Sequence, residues 1–526
     1  MTVETTRCYD VVIVGSGVGG SAVALQLAGS GLRVLVLERG PHLPREPQNR
    51  DPEAVFVDLR YRTRETWSDG QARFRPGQYY FVGGHTKFYG AAMFRLRSAD
   101  FQELAHEEGH SPAWPIAYAD LESWYGMAEG LFGVRGLAGR DPTEPPRSAP
   151  YPHPPVPHEP VLARIEAALL AQGLHPFPMP TAVDLGSSGG ASGRCERCGT
   201  CDAFPCMIDA KGDAETCLLR PALRAGNVTL RSEARVERLL TDATGRRIVA
   251  VELAREGGAS ERIAADVFVL SAGAINSAAL LLRSATGRHP RGLANSSDVV
   301  GRHYMNHNCT ALMALHPWRR NPTRFPKTLA VNDFYSHEDG PQGSGVPFGN
   351  LQLLGKIREP MLRNAMPSWV PRAARSWLAD HSVDWYVMSE DLPHPDSRVS
   401  VLPDGGIELR WKRTNLGPHR RWVEKARDIL RRTGYPVVIS RPFGTDTPSH
   451  QCGTVRFGTD PLSSALDPWC KAWDHDNLYV VDASFMPSSA AVNPALTVAA
   501  QALRVGSHLR SALSGTGDTV PEAHHA

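Results

Sequence analysis

The sequence predicts a strand–helix–strand α/β domain assembled from segments scattered along the chain, with a more antiparallel α+β module inserted into it. Three observations predict this. The first forty residues read strand, glycine turn, helix, strand; the chain closes on another strand and helix, "NLYVVDASFMP…NPALTVAAQALRVGSHL"; and residues from about 306 to 444 lack that alternation.

Bulk properties bound the answer. At 526 residues the chain exceeds one ordinary core, so two or three domains are expected. It is 42% hydrophobic and 21% charged, with a net charge of +2, which favours neither nucleic acid nor a membrane surface as partner. The N-terminal "MTVETTR" has no charged region running into an apolar one, so no secretory signal is read there. The uncharged run from Val11 to Gly29 is broken by Gly15, Gly17, Gly19 and Gly20, which suits a strand, turn and helix better than a membrane span. A cytoplasmic protein is expected.

Each element follows in order. "YDVVIVGSGVGG" is a β-branched strand entering glycines, "SAVALQLAGSG" is helical, and "RVLVLERG" is a second buried strand. Nine prolines between Pro142 and Pro160 exclude helix or central strand and mark an extended crossover. From Asn227 to Leu282 strands return, the last, "ADVFVLSAGAINSAALLL", again feeding a helix through a glycine turn. "SRVSVLP" and "GIELRWK" read as strands within the inserted module. The expected division is 1–110, 191–305 and 445–513 for the α/β domain, 111–190 for a proline-rich connection, 306–444 for the inserted module, and a disordered tail over 514–526.

Gly15, Gly17 and Gly20 spell G-x-G-x-x-G at the first strand-to-helix turn. The first permits the turn, the second lets backbone approach a pyrophosphate, and the third lets helix and strand pack closely. Unpaired N–H groups at the helix start then face the phosphates. Glu38 ends the second strand 18 residues after Gly20, with Arg39 beside it, where a carboxylate accepts from ribose hydroxyls. A Rossmann-like site for FAD or NAD, rather than NADP, follows.

From here the chain resembles the glucose–methanol–choline (GMC) flavoprotein oxidoreductases over nearly its whole length. The resemblance rests on "VVIVGSGVGG…VLVLERG", "FVGGHTKFYGAAMFRLR", "PIAYADLESWYGMAE", "VLSAGAINSAALLLRS", "VVGRHYMNH", "SHQCGTVRFG" and "NLYVVDASFMPSSAAVNPALTVAAQALR", in that order. It implies FAD, an FAD-binding Rossmann-like domain, and a substrate domain on a mainly antiparallel sheet. It implies that residues 81–97 wrap the flavin, with Gly83 and Gly84 admitting backbone to the ring system. Asp482 matches the position contacting the flavin phosphate and ribityl region, Asn493, Pro494 and Ala495 match the stretch lying against the isoalloxazine, and Val236 matches the residue pairing with adenine. The sequence departs from the family in carrying His85 and Tyr89 near the flavin. Covalent attachment through histidine in some relatives falls here on Phe88, so non-covalent FAD is expected and His85 is read as a hydrogen-bonding neighbour.

His450 matches the family's catalytic histidine and Asn493 its second catalytic position. Alcohol oxidation by hydride transfer needs a base for the hydroxyl proton, and histidine titrates near working pH. The implied activity is oxidation of an alcohol, with a sugar, glycoside or polyol favoured by analogy, and with oxygen, quinone or protein left open as electron acceptor. Alternatives are an iron–sulfur flavoprotein dehydrogenase, a non-redox lyase of the family, and a plain NAD-dependent dehydrogenase.

Cys195, Cys198, Cys201 and Cys206 are spaced C-x2-C-x2-C-x4-C. That spacing admits an iron–sulfur cluster or zinc, although reduced, packed thiols are the favoured reading. "HYMNH" puts His303 and His307 four apart, a metal pair if helical; the resemblance makes it instead a structural lead-in to the substrate domain. Trp385 and Trp411 could stack on a sugar, with core the favoured reading.

Overall fold

A computed structural model describes residues 5–186, 193–254, 260–336, 347–447 and 449–514. The expected tail lies outside these residues except Ser514, which ends the helix Ala495–Ser514.

The principal sheet has Thr5–Val14 near its centre, paired in parallel with Val34–Leu37 on one side and Ser260–Leu270 on the other. Val228–Arg231 extends it in parallel beyond Val34–Leu37, and Leu478–Val480 adds in parallel to Ser260–Leu270. Ile248–Ala254 and Val236–Thr241 complete it in antiparallel fashion. Val11 to Val14 and Val34 to Leu37 are buried throughout, which is why these strands read as unbroken apolar runs. The C-terminal strand therefore joins a sheet started by the N-terminal one. Helix Val18–Leu27 packs on helix Ala495–Ser514, and Gly506 sits where a Cβ would come within 2.8 Å of the Gln26 side chain and 3.1 Å of the Val23 backbone. Close crossing of the two helices depends on that missing atom.

The second sheet is antiparallel, with six strands ordered Val437–Pro442, Asn308–Leu315, Ser382–Ser389, Asn350–Leu353, Leu329–Val331 and Phe177–Pro178. Helix Leu416–Arg432 buries Trp422, Val423, Ala426, Ile429 and Leu430, an i, i+1, i+4, i+7, i+8 stripe, against its core. Trp385 lies fully buried in the same core, and Trp411 donates its indole N–H to Asp391 at 2.8 Å.

Two groups of elements cross the boundaries expected from composition. Phe177–Pro178 extends the second sheet, and helix Pro160–Leu170 buries Val161, Leu162, Ile165 and Leu169 in its core, so much of the connecting segment serves the inserted module. Conversely, Arg398–Val401 and Ile407–Arg410 form a separate sheet with Trp67–Ser68 and Arg73–Phe74. Strand pairing is long-range, and local composition does not reveal its partners. No helix among the described residues is long and apolar enough to cross a membrane.

Candidate active site

A cavity of about 850 Å³ is lined by residues of both sheets and runs from the glycine turn to His450 and Asn493. Its volume lies in the range of small-molecule and cofactor sites.

At one end, backbone makes the walls. Gly15 holds φ at 104°, and a Cβ there would stand 2.2 Å from the Ser271 carbonyl oxygen. A Cβ on Gly20 would meet the Gly15 carbonyl at 2.1 Å. At Gly17, by contrast, a Cβ would meet no protein atom within 4 Å, because that face opens into the cavity at the start of helix Val18–Leu27. Space is thus kept where a phosphate would approach the helix N-terminus. Glu38 accepts from the Ser16 N–H (3.1 Å), the Ser16 hydroxyl (2.6 Å) and the Gly40 N–H (2.9 Å). Burial pushes its carboxyl above the ordinary range, against the pull of those donors. Arg39 lies 3.6 Å over the Tyr80 ring and pairs with Glu65, and Arg39, Tyr80 and Val236 line the cavity.

Midway, Asp482 accepts from the Gly273 N–H (3.0 Å), the Ser277 hydroxyl (2.5 Å) and the Ser484 N–H (2.9 Å). Gly83 and Gly84 hold φ at 91° and 59°, and the Gly83 N–H donates to the Ser16 hydroxyl at 3.1 Å. Their loop is pinned from behind by Lys211, whose ammonium donates to the carbonyls of Tyr89 (2.8 Å), Cys201 (2.7 Å) and Phe204 (2.7 Å). Phe88 stacks on Tyr79 at 4.0 Å, and His85 Nε2 lies 2.9 Å from Gln78 Oε1.

At the far end, side chains make the walls. His450 holds a left-handed backbone, φ 62°, a strained conformation of the kind that collects at functional sites. Its Nε2 stands 3.1 Å from Asn493 Nδ2, and its Nδ1 stands 2.9 Å from His307 Nδ1. Gln352 donates to Asn493 Oδ1 at 2.9 Å, which turns the Asn493 NH₂ toward His450. Burial holds the His450 imidazole well below its ordinary pKa, reinforced by His307 and the Lys327 ammonium. Lys327 and Asp202, 2.8 Å apart, also line the cavity.

Of the residues singled out in the sequence, Gly15, Gly17, Glu38, Arg39, Gly84, Val236, Asp482, Pro494, Ala495, His450 and Asn493 all line this one cavity. Gly20 and Gly83 do not line it, but their chain neighbours Gly19 and Gly84 do. Residues 303–307 form no helix and His303 has φ 57°, so the i, i+4 reading of "HYMNH" has no geometric basis. His307 faces His450 instead. Among the described residues, the only group of three or more metal-type ligand atoms lying within 4.8 Å of one another is that of His307, Cys309 and His450. Cys195, Cys198, Cys201 and Cys206 form no such group, and Cys195 and Cys201 pack on an apolar cluster with Val156, Val183, Leu185 and Phe325. His307, Gln352, Lys327 and Asp202 were not found as site residues by sequence reasoning; only the histidine pair in "HYMNH" offered a signal.

A mainly parallel sheet with a glycine cradle, a buried carboxylate after its second strand, and a histidine–asparagine pair at the end of one cavity are the marks of a dinucleotide-dependent oxidoreductase. Family models described as GMC oxidoreductase match residues 173–309 and 396–502, and one described as FAD dependent oxidoreductase matches 10–116. Paromamine 6'-oxidase of Streptomyces fradiae is 34% identical, over 99% of this chain and 93% of its own. 6'''-hydroxyparomomycin C oxidase of Streptomyces lividus is 32% identical, over 96% and 92%. Pyridoxine 4-oxidase from Mesorbium loti shares the fold, with a TM-score of 0.66 at 21% identity over 95% of this chain and 98% of that one. The chain belongs to the GMC oxidoreductases: it is an FAD-dependent enzyme that oxidises alcohols.

Proposed function

We propose that the enzyme oxidises a hydroxyl group of a sugar or glycoside to a carbonyl, with His450 as base, Asn493 as the donor orienting the same oxygen, and FAD held without a covalent bond. Bound FAD supplies the hydride acceptor. The carrying observation is the 3.1 Å approach of His450 Nε2 and Asn493 Nδ2 on the cavity wall. On binding, the alcohol O–H takes the place of the Asn493 N–H at the single Nε2 lone pair, while the alcohol oxygen accepts from the Asn493 NH₂. Low basicity of His450 keeps it neutral before substrate arrives, the state a base requires.

The sugar reading draws on the two Streptomyces relatives, whose names place them on paromamine and 6'''-hydroxyparomomycin C. It also draws on the polar groups beside His450: Lys327, Asp202, Gln78 and Gln451 offer donors and acceptors to several hydroxyls. Non-covalent FAD is supported by Phe88, which has no nucleophile.

The test is the anaerobic visible spectrum of the holoenzyme as sugars, aminoglycosides, polyols and simple alcohols are added. Bleaching by a sugar or glycoside is the expected result, and bleaching only by non-sugar alcohols would overturn the substrate class. Readmitting air then distinguishes oxidase from dehydrogenase. His450→Ala should slow bleaching about 10³-fold with flavin still bound; near-full turnover would remove His450 from the mechanism. Acid precipitation should release all the flavin, and a yellow pellet would mean a covalent bond.

A further inference from the structure

We propose that His307 is a positioning residue that fixes the tautomer of His450, so that a bare Nε2 rather than an N–H meets the substrate alcohol. The inference rests on His450 as the base.

Hydrogen-bond directions carry it from one end. His307 Nε2 lies 2.9 Å from the Ser489 carbonyl oxygen, which can only accept, so Nε2 bears the hydrogen. A neutral imidazole protonated there has a bare Nδ1. That Nδ1 is 2.9 Å from His450 Nδ1, with the ring centroids 4.7 Å apart and the planes at 63°. Two bare nitrogens at this distance would repel, so His450 carries its hydrogen on Nδ1 and leaves Nε2 bare.

The other end of the chain requires the same state independently. Asn493 Oδ1 is occupied by the Gln352 N–H at 2.9 Å, so Asn493 turns a donor toward His450 Nε2. A hydrogen on Nε2 would oppose it. Were His307 doubly protonated, its Nδ1–H would reverse the order and create that opposition. Burial disfavours that form, holding His307 below the ordinary histidine range.

The consequence is chemical. When Nε2 takes the hydroxyl proton, the resulting imidazolium still donates Nδ1–H to His307, now as a charge-assisted bond. The buried Glu390 carboxylate, which accepts from the Ala490 N–H at 3.2 Å, pulls His307 toward protonation, but burial outweighs it and the net shift is downward.

The test uses FAD-loaded enzyme and two readouts. In histidine-¹⁵N-labelled protein, the His450 signals, assigned by their absence in His450→Ala, should show Nδ1 protonated and Nε2 bare. His307→Leu should mix the tautomers and slow anaerobic flavin reduction at saturating substrate about 100-fold, leaving KM and flavin content near wild type. His307→Asn, whose Oδ1 can accept from His450 Nδ1, should recover to within about tenfold of wild type. An Nε2–H signal in the wild type overturns the inference, and that spectrum decides alone if the leucine variant does not fold. Wild-type reduction rates in His307→Leu, or equal losses in the leucine and asparagine variants with the His450 tautomer unchanged, also overturn it. Failure is separable from failure of the base assignment: an inactive His450→Ala beside an unimpaired His307→Leu discards only the tautomer role, whereas an active His450→Ala discards both.

Discussion

The two ends of the cavity are made of different material. The dinucleotide end is backbone: Gly15, Gly17 and Gly20 lie within six consecutive positions, and the crowding carbonyls belong to Ser271 and Gly15. The end that holds the proposed base is side chain: His307, Gln352, His450 and Asn493 come from four separate segments and meet through hydrogen bonds of 2.9 to 3.1 Å. A backbone cradle tolerates no added atom at Gly15 or Gly20 but needs few residue identities. A side-chain constellation tolerates small shifts but depends on the hydrogen-bonding sense of every member.

Glycine substitutions probe the first end and give the largest expected effects. Gly20→Ala forces a Cβ to 2.1 Å from the Gly15 carbonyl, backbone against backbone, and should cost about 3 kcal/mol of stability. A drop in apoprotein Tm reads this directly. Gly17→Ala should instead leave apoprotein Tm almost unchanged, since its Cβ meets no protein atom, yet weaken FAD binding roughly tenfold, or 1.4 kcal/mol. Equal behaviour of the two variants would break the distinction between a packing glycine and a ligand-clearance glycine.

At the other end, Gln352→Leu removes the hydrogen bond that directs the Asn493 amide. Flavin reduction should slow roughly tenfold, the worth of one buried hydrogen bond, with flavin content unchanged. A loss of FAD in this variant would show that the two ends are not separable.

The smallest effect expected is that of pH. Desolvation lowers the His450 pKa, so the neutral base persists as pH falls through the ordinary histidine value of about 6.5. The acid limb of kcat/KM should therefore lie below pH 6.5. A limb at or above 6.5 would mean that a cation is stabilised at His450 in the free enzyme.

Legibility followed the same division. The first and last strands of the principal sheet were readable because Val11–Val14 and Leu478–Val480 are short apolar runs beside turns. The pairing of Arg398–Val401 and Ile407–Arg410 with Trp67–Ser68 and Arg73–Phe74 was not, since no local pattern names a partner over 300 residues away. His450 and Asn493 were singled out through a family resemblance; their mutual distance was not available from it. His307 stood in view within "HYMNH" but was read against His303, four residues off, when its partner lies 143 residues on.

The sequence by itself determined the glycine turn, the acid at the end of the second strand, and the family. These depend on local backbone sterics and on spacings of a few residues, which are written contiguously. Only the tertiary structure decided that His450 Nδ1 faces His307 and Nε2 faces Asn493, which way the Asn493 amide points, and that Lys327 and Asp202 line the same cavity. Hydrogen-bond direction is a property of pairs, and here the pairs close across 43 to 143 residues, so it exists only once the chain has folded.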